Sequence, residues 1–561
     1  MVADLSGTIS HSVWYGWGDP SRARPLNAGG LAFLRRRLKL ASVEPVHPPV
    51  DLSDVRLRPG SLGADALDQF SAIVGAEHVS TSAQERILHA GGKSTSDLIR
   101  RRSGDAGDAP DAVIFPGSGT DVRQILALCD QEGIAVVPFG GGTSVVGGVE
   151  PLKADFRAVI ALDLGRMDRV VEVDSICLTA TFEAGIRGPA MEASLGKLGF
   201  TLGHFPQSYE EASLGGYLST RSAGQASTGY GRSDDMVKAL HVETPRGPLE
   251  LGGLAPATAA GPNLLDVFVG SEGTFGVITE ATMRIHRAPK HRSYGAWTFG
   301  SFEAGAEALR RLVQDGAKGD MPEVCRLADA PETESTFALS GGWKSSLLRM
   351  YLRFRGQGSP ALALFVWEGA DNQTDARRRR CATILRRAGG VFVGPVPAQA
   401  WERARFSGPY LRDELLTRGV YVETVETATS WNRVKSTHRD VGKAIGSALM
   451  VNGAGAHVQA HISHVYPDGA SLYFTFLGGL EADPLAQNAR VKKAASDAVM
   501  QSRATITHHH AIGVDHAPYL AAEIGEVGVD ILAGIKGVLD PRGIMNPGKL
   551  IPGPKTPQIP G

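Results

Sequence analysis

Three consecutive glycines end an apolar run, and the chain there reads Pro138-Phe-Gly-Gly-Gly-Thr-Ser-Val-Val-Gly-Gly148. The preceding residues from Ile134 are β-branched and apolar, so a strand is expected to run directly into the loop. Consecutive glycines free φ and let successive N–H groups converge on an anion. Thr143 and Ser144 add hydroxyl donors. Asp163 stands at the distance that a dinucleotide fingerprint requires, but the pattern is not GxGxxG, and Pro151 arrives before any crossover helix could form. Taken alone, the loop suits a tight glycine turn as well as a phosphate grip.

At 561 residues the chain exceeds one compact core, and two or three domains are expected. Charges nearly cancel, 58 basic against 59 acidic, so no global field recruits nucleic acid and any anionic ligand must be held locally. Four scattered cysteines without a CxxC pair fit a reduced, cytoplasmic setting. The first twenty residues lack the basic start and apolar run of a signal peptide. No apolar stretch reaches the ~20 residues of a membrane span.

Residues 1–105 read as an irregular, helical entry, with helical patterns at 31–40 and 83–92. Residues 106–288 alternate strands and helices as one domain, and 289–505 form a second α+β unit. A segment at 506–553 follows, and the Pro- and Gly-rich tail 554–561 is expected to fray. The run Arg377–Arg380 lies on a helical pattern without interleaved aromatics, and a solvated face is the favoured reading over a nucleic-acid or membrane site.

Two further segments accompany the glycine loop: Ser213-Leu-Gly-Gly-Tyr-Leu-Ser-Thr-Arg-Ser-Ala-Gly224 and Gly270-Ser-Glu-Gly-Thr-Phe-Gly-Val-Ile-Thr279. With the loop, and in this order, they resemble the flavoproteins of the vanillyl-alcohol oxidase and p-cresol methylhydroxylase superfamily. The resemblance implies an α+β chain, with a p-cresol methylhydroxylase-type FAD-binding domain, an α+β cap that binds substrate, and a helical N-terminal region. It implies a pyrophosphate grip by Pro138, Gly140, Gly141, Gly142, Thr143, Ser144, Gly147 and Gly148. Around the isoalloxazine and ribityl chain it implies His204, Pro206 and Ser208, then Ser213, Gly215, Gly216, Ser219, Thr220, Ser222, Ala223 and Gly224, and finally Glu272, Gly273, Gly276, Val277 and Ile278. Thr143 stands where many members tether FAD through histidine, so non-covalent FAD is expected.

Within the superfamily the chain is similar to the alkyldihydroxyacetonephosphate synthases from about Trp14 to Leu550. The matching pieces are Tyr15-Gly-Trp-Gly-Asp19, Thr201-Leu-Gly-His-Phe-Pro206, Glu323-Val-Cys-Arg-Leu-Ala-Asp329 and Pro409-Tyr-Leu-Arg-Asp413. They continue with Glu423-Thr-Val-Glu-Thr427, Gly469-Ala-Ser-Leu-Tyr-Phe-Thr-Phe476 and His508-His-His510. The implied reaction exchanges the acyl group of acyl-dihydroxyacetone phosphate for a fatty alcohol through a flavin N5 adduct, without net redox. Arg326, Tyr473, His508, His509 and His510 are the implied catalytic groups, and Arg412 and Thr424 the substrate contacts. Guanidinium groups suit a phosphate or a carbonyl; tyrosine and histidine suit proton transfer. Three departures bear on substrate identity: Thr424 replaces serine, Ala511 replaces glycine after the histidines, and Gln225-Ala-Ser227 replaces a lysine pair.

Each candidate also has an ordinary reading. Tyr473 suits a core position in an alternating strand, the arginines suit the surface, and the histidines suit a polar loop. His508–His510 could also join His516, or His457, His461 and His464, around a metal, although no spacing matches a standard zinc motif and none is expected. A flavin-dependent 2-hydroxyacid dehydrogenase is the alternative on the same fold. Those enzymes commonly carry His-x-Gly-Asp-Gly-Asn-x-His, whereas Gly455-Ala-His-Val-Gln-Ala-His-Ile-Ser-His464 lacks Gly-Asp-Gly-Asn. A catalytically silent flavin or lipid carrier would not need the arginines, tyrosine and histidines together. A homodimer is compatible with these features. Trp343, Leu347, Met350, Tyr351 and Phe354 form one helical stripe among Lys344, Arg349, Arg353 and Arg355, so segment 343–355 suits a peripheral membrane contact as well as a packed helix.

Overall fold

Ser118 accepts the Asp121 N–H, starting the helix Gly119–Glu132, and Gly133 in the left-handed region ends it. The chain then enters Ile134–Phe139, the edge of a four-stranded sheet whose order is Val79–Ser80, Ala112–Ile114, Ala158–Asp163, Ile134–Phe139. The last three strands are parallel and almost wholly buried, so their continuous apolar composition is what the fold requires. A five-stranded antiparallel sheet completes the first domain, with Val277–Arg284 at its centre between Thr179–Glu183 and Val237–Thr244. This computed structural model describes residues 13–23, 25–340, 350–369 and 371–551.

The second domain is built on a seven-stranded antiparallel sheet. Its order is Val391–Gly394, His291–Phe299, Ala361–Gly369, Val324–Ala328, Ala456–Ile462, Gly469–Gly479, Val420–Ser430. The helices Phe302–Asp315, Asp371–Arg387, Trp431–Leu449 and Pro484–Gln501 bury one face of it around Phe365, Trp367, Phe474 and Phe476. The opposite face is left for the site. Of the run expected on a solvated face, Arg379 and Arg380 are exposed, Arg380 also pairing with Asp320 at 2.6 Å, while Arg377 is half-buried and pairs with Glu323 at 2.9 Å.

The N-terminal region is not a separate body. Phe33, Leu34 and Leu38 of the helix Ala28–Leu38 pack against Leu415, Val420 and Leu477 of the second domain. Phe70 and Val74 of the helix Ala64–Val74, which the sequence reading had left unassigned, join the core of the first. The closing segment also joins that first core, through Ile506, Ile512, Leu520, Ile544 and Met545. It carries two helices, Leu520–Ile524 and Glu526–Leu539, separated at Gly525 with φ 79°. Among the described residues no helix is long and apolar enough to cross a membrane. The expected tail lies outside the described residues, as do Trp343, Lys344, Leu347 and Arg349. Met350, Tyr351 and Phe354 are exposed, while Leu352 is buried.

Candidate active site

A cavity of about 530 Å³ lies between the two domains, with glycine-rich backbone on one wall and titratable side chains on the other. The glycine wall is shaped by close approach. A Cβ on Gly140 would strike the Ser213 hydroxyl, one on Gly141 the Glu211 carbonyl, and one on Gly142 the Phe139 ring. The Ser144 hydroxyl accepts the Gly148 N–H at 2.8 Å, curling the loop. Pro138, Thr143, Ser213, Gly215, Gly216, Ser219, Thr220, Ser222 and Ala223 also face the cavity, as do Pro206, Ser208, Glu272, Gly273, Gly276, Val277 and Ile278. A cradle that side chains would fill, with hydroxyls at its rim, fits a flat ring and a pyrophosphate.

Three expected cofactor contacts stand behind that wall. Gly147 turns the loop at φ 74° against Val514 and Glu150. The His204 ring nitrogen Nε2 lies 3.2 Å from the Ser222 hydroxyl and supports it from within, while Gly224 packs on His204 and Phe205. None of the three is on the cavity lining.

Strand register assembles the opposite wall. Thr424 pairs with Thr475, Glu426 with Tyr473, and His461 with Tyr473, so their side chains fall on one face. The Tyr473 ring is stacked between His461, 5.1 Å away, and His509, 6.1 Å away. Burial pushes its hydroxyl up to about 12 against an opposing hydrogen bond with Thr424, so Tyr473 keeps its proton at neutral pH. His461 Nδ1 contacts Glu332 at 2.8 Å and Arg326 at 3.0 Å.

The two arginines differ. Arg326 lines the cavity, but its Nη2 is committed to Glu332 at 2.5 Å and to His461. Arg412 spends only Nη1, on the Lys93 carbonyl; its Nε and Nη2 are buried without a hydrogen-bond partner. Nε also lies 3.8 Å from Asp413 Oδ1, so Arg412 is a cavity-lining guanidinium balanced by one carboxylate and with two nitrogens free of hydrogen bonds, a group that can turn to an anion. An apolar arm extends from this wall, lined by Leu26, Phe33, Leu34, Leu339, Leu415 and Leu477.

The histidine loop is held by Glu426, to which the sequence reading gave no role. Its carboxylate accepts the N–H groups of His508 at 2.7 Å, His509 at 3.1 Å and His510 at 3.0 Å, and the Thr507 hydroxyl at 2.6 Å. Burial would raise this group, but in acid, where the rings of His509, His510 and His508 charge, these imidazoles and the Thr507 hydroxyl hold it well below the usual carboxylate range. Burial lowers His508 and His510 to about 3 and also lowers His509, so all three rings are neutral near pH 7. His509 and His510 face the cavity. His508 lies behind them, with Nε2 2.6 Å from the Tyr466 hydroxyl and Nδ1 2.9 Å from His509 Nδ1. Among the described residues, one group could hold a metal: His464, His508 and His509, with ring nitrogens within 4.8 Å of one another.

The departures noted in the sequence acquire physical content. Thr424 keeps the hydroxyl that pairs with Tyr473. Ser227, in the stretch that replaces the lysine pair, lies 2.5 Å from His464 Nδ1. Ala511 occupies the left-handed region at φ 72°, which is why glycine suits that position. His461 and His464 were named only as possible metal ligands, Glu426 carried no signal beyond membership of the segment Glu423–Thr427, and Glu332 lies outside every matched segment.

Comparison with known proteins places the chain. The FAD binding domain family model matches residues 110–251, and the C-terminal domain model of FAD linked oxidases matches residues 288–550. The alkyldihydroxyacetonephosphate synthase of Trypanosoma brucei brucei is 34% identical, covering 99% of this chain and 94% of its own length. That of Dictyostelium discoideum is 30% identical over 96% of this chain and 93% of its own. A solved alkyldihydroxyacetonephosphate synthase superposes with a TM-score of 0.84 at 28% identity, covering 96% of this chain and 99% of that one. Substrate-bound p-cresol methylhydroxylase shares the fold, with a TM-score of 0.65 at 16% identity over 86% of this chain and 96% of its own. The cofactor is therefore FAD, and the glycine cradle fits it.

Replacing Glu426 by glutamine removes the charge but leaves one acceptor oxygen for several buried donors. The loss in unfolding free energy is expected to be roughly 2–4 kcal/mol at pH 7, measured by denaturant titration. Because the folded-state value lies below the unfolded value of 4.5, the glutamate's contribution is complete above pH 4.5. The gap between the two proteins should therefore shrink only in more acidic solution.

Proposed function

The chain belongs to the alkyldihydroxyacetonephosphate synthase family, and on that premise we propose that it exchanges the acyl group of acyl-dihydroxyacetone phosphate for a fatty alcohol. It is an FAD-dependent enzyme of that family. The observation that carries the substrate reading is the convergence in one cavity of Arg412, two of whose guanidinium nitrogens make no hydrogen bond, the Tyr473–histidine wall and an apolar arm. A phosphate headgroup matches the guanidinium, and a long chain matches the arm.

Bound FAD supplies a nucleophilic ring nitrogen that takes part in the exchange and ends at its starting oxidation level. Arg412 holds the phosphate through Nε and Nη2. Tyr473, protonated and oriented by Thr424, donates a hydrogen bond or proton to the departing carboxylate as the carbon–oxygen bond of the ester breaks. His509 and His510, neutral on the cavity wall, accept the proton of the alcohol as the ether bond forms. Arg326, held by Glu332, fixes His461 beside Tyr473. The fatty acid leaves, and no electron acceptor is consumed.

Non-covalent FAD is supported by Thr143 at the loop position where a histidine tether would stand. Acid precipitation is expected to release all yellow colour into the supernatant; flavin left on the polypeptide would contradict it.

With palmitoyl-dihydroxyacetone phosphate and hexadecanol, purified holoenzyme should form the ether without consuming oxygen or an electron acceptor. Rapid flavin reduction by D-lactate or D-2-hydroxyglutarate would favour the dehydrogenase alternative. Tyr473→Phe and His509→Ala should each lower kcat by at least about 100-fold with FAD retained. Arg412→Lys should fail comparably, because a point charge cannot reproduce a planar fork.

The exposed Met350, Tyr351 and Phe354, with Arg353 and Arg355 among them, support a peripheral lipid contact. A Met350→Ser, Phe354→Ser double variant should lose most co-sedimentation with anionic vesicles while remaining folded. Equal binding by both proteins would remove this surface from the contact.

A further inference from the structure

The turn Tyr15-Gly-Trp-Gly-Asp19 has no part in the chemistry above, yet it is fastened to the site at several points. The Trp17 N–H donates to Asp413 Oδ2 at 2.6 Å. A Cβ on Gly16 would strike Asp413, and one on Gly18, at φ 51°, would strike the Tyr410 hydroxyl. Arg102 Nη1 donates to the Tyr15 carbonyl at 3.3 Å. Trp17 is thereby only 4% exposed and shares the cavity wall with Arg412.

The fastening converges on one peptide. The Gly92 N–H donates to Asp97 at 3.2 Å, and the Gly92 carbonyl accepts from Arg101. The Lys93 N–H donates to the Ser144 carbonyl of the glycine loop at 2.6 Å. The Lys93 carbonyl accepts from Arg412 Nη1. The Lys93 ammonium, buried, donates to the carbonyls of Val13 at 2.9 Å and Gly16 at 2.6 Å. Main chain thus joins the cofactor loop to the substrate arginine, and the side chain joins both to the turn.

We propose that Lys93 is a positioning residue for the phosphate end of the substrate, holding the 13–18 turn so that Trp17 closes the site beside Arg412. The proposal rests on the reading that Arg412 takes a phosphate monoester. Lys93 itself touches no substrate; its main-chain carbonyl orients the guanidinium, and its amine keeps the indole in place. Removing the amine leaves both main-chain bonds, so the cofactor loop and Arg412 stay put while the turn loosens.

The test uses holoenzyme. Lys93→Met should keep FAD, read at its visible absorbance, and raise KM for palmitoyl-dihydroxyacetone phosphate at least about tenfold with kcat within about threefold. Trp17→Ala should do the same without touching Lys93. Inorganic phosphate should slow hydrogen–deuterium exchange of amides 13–18 in wild type and fail to do so in Lys93→Met. An unchanged KM in both variants, equal phosphate protection in wild type and Lys93→Met, or loss of FAD from Lys93→Met would overturn the proposal. Should Lys93→Met not fold, Trp17→Ala and the wild-type exchange measurement decide it. Arg412→Lys separates the two levels: near-normal KM there sinks the phosphate reading itself, whereas impairment there alone sinks only the role of Lys93.

Discussion

One buried carboxylate, that of Glu426, fixes the relation between the two halves of the site. It sits on a cap strand, yet its bonds go to the backbone of residues 508–510, whose flanking apolar residues belong to the core of the other domain. Burying an anion is costly, and the cost is offset only when several donors converge on it. Three N–H groups and a hydroxyl do so here, forming a nest of the kind that binds free anions elsewhere. The same contacts set the rings of His509 and His510 against Tyr473. One set of contacts thus joins the two domains and sets the histidine rings against Tyr473.

The nest also dictates the charge state of the wall. With a full negative charge held at their backbone, the imidazoles could be expected to protonate, but burial prevails and lowers all three. Tyr473 is driven the other way by the same burial. The wall therefore presents a phenol that keeps its proton near neutrality beside imidazoles that are neutral there.

Much of the first domain was legible, because its signals are local. The apolar strand before Gly140, the capped helix ending at Gly133 and the close-packed glycines each follow from short-range chemistry, and each is observed. The cap's strands were legible where they were long and apolar, as at Ala361–Gly369. The division of labour between Arg326 and Arg412 was not, since it depends on Glu332, six residues from Arg326, meeting His461 across two strands and a helix. Nor was the place of the N-terminal region, whose helices are too short to show which core they serve. Glu426 was hidden for a related reason: a glutamate in an alternating strand reads as solvent-facing until its distant partners are known.

Three of the residues with strained backbone lie at the seam between the glycine loop and the histidine loop. Glu272, Ala511 and Asn546 all occupy the left-handed region, at φ 53°, 72° and 39°, a conformation costing roughly 1–3 kcal/mol for residues other than glycine. Glu272 and Asn546 are also bonded to each other. Glu272 accepts the N–H groups of Ile512 at 2.9 Å and Gly513 at 2.8 Å through its side chain, and its own carbonyl accepts from Asn546 at 2.6 Å. Asn546 reaches on to the Gly148 carbonyl at 3.0 Å, and Ala511 receives the ring of His516 at 2.8 Å. Glu272 and Asn546 thus form a circuit from the glycine loop to Ile512 and Gly513, and Ala511, held separately by His516, adjoins its end. A circuit of this kind tolerates one misfit, such as alanine in place of glycine at 511, because its neighbours hold the geometry. It would not tolerate the loss of Glu272, through which both loops are tied.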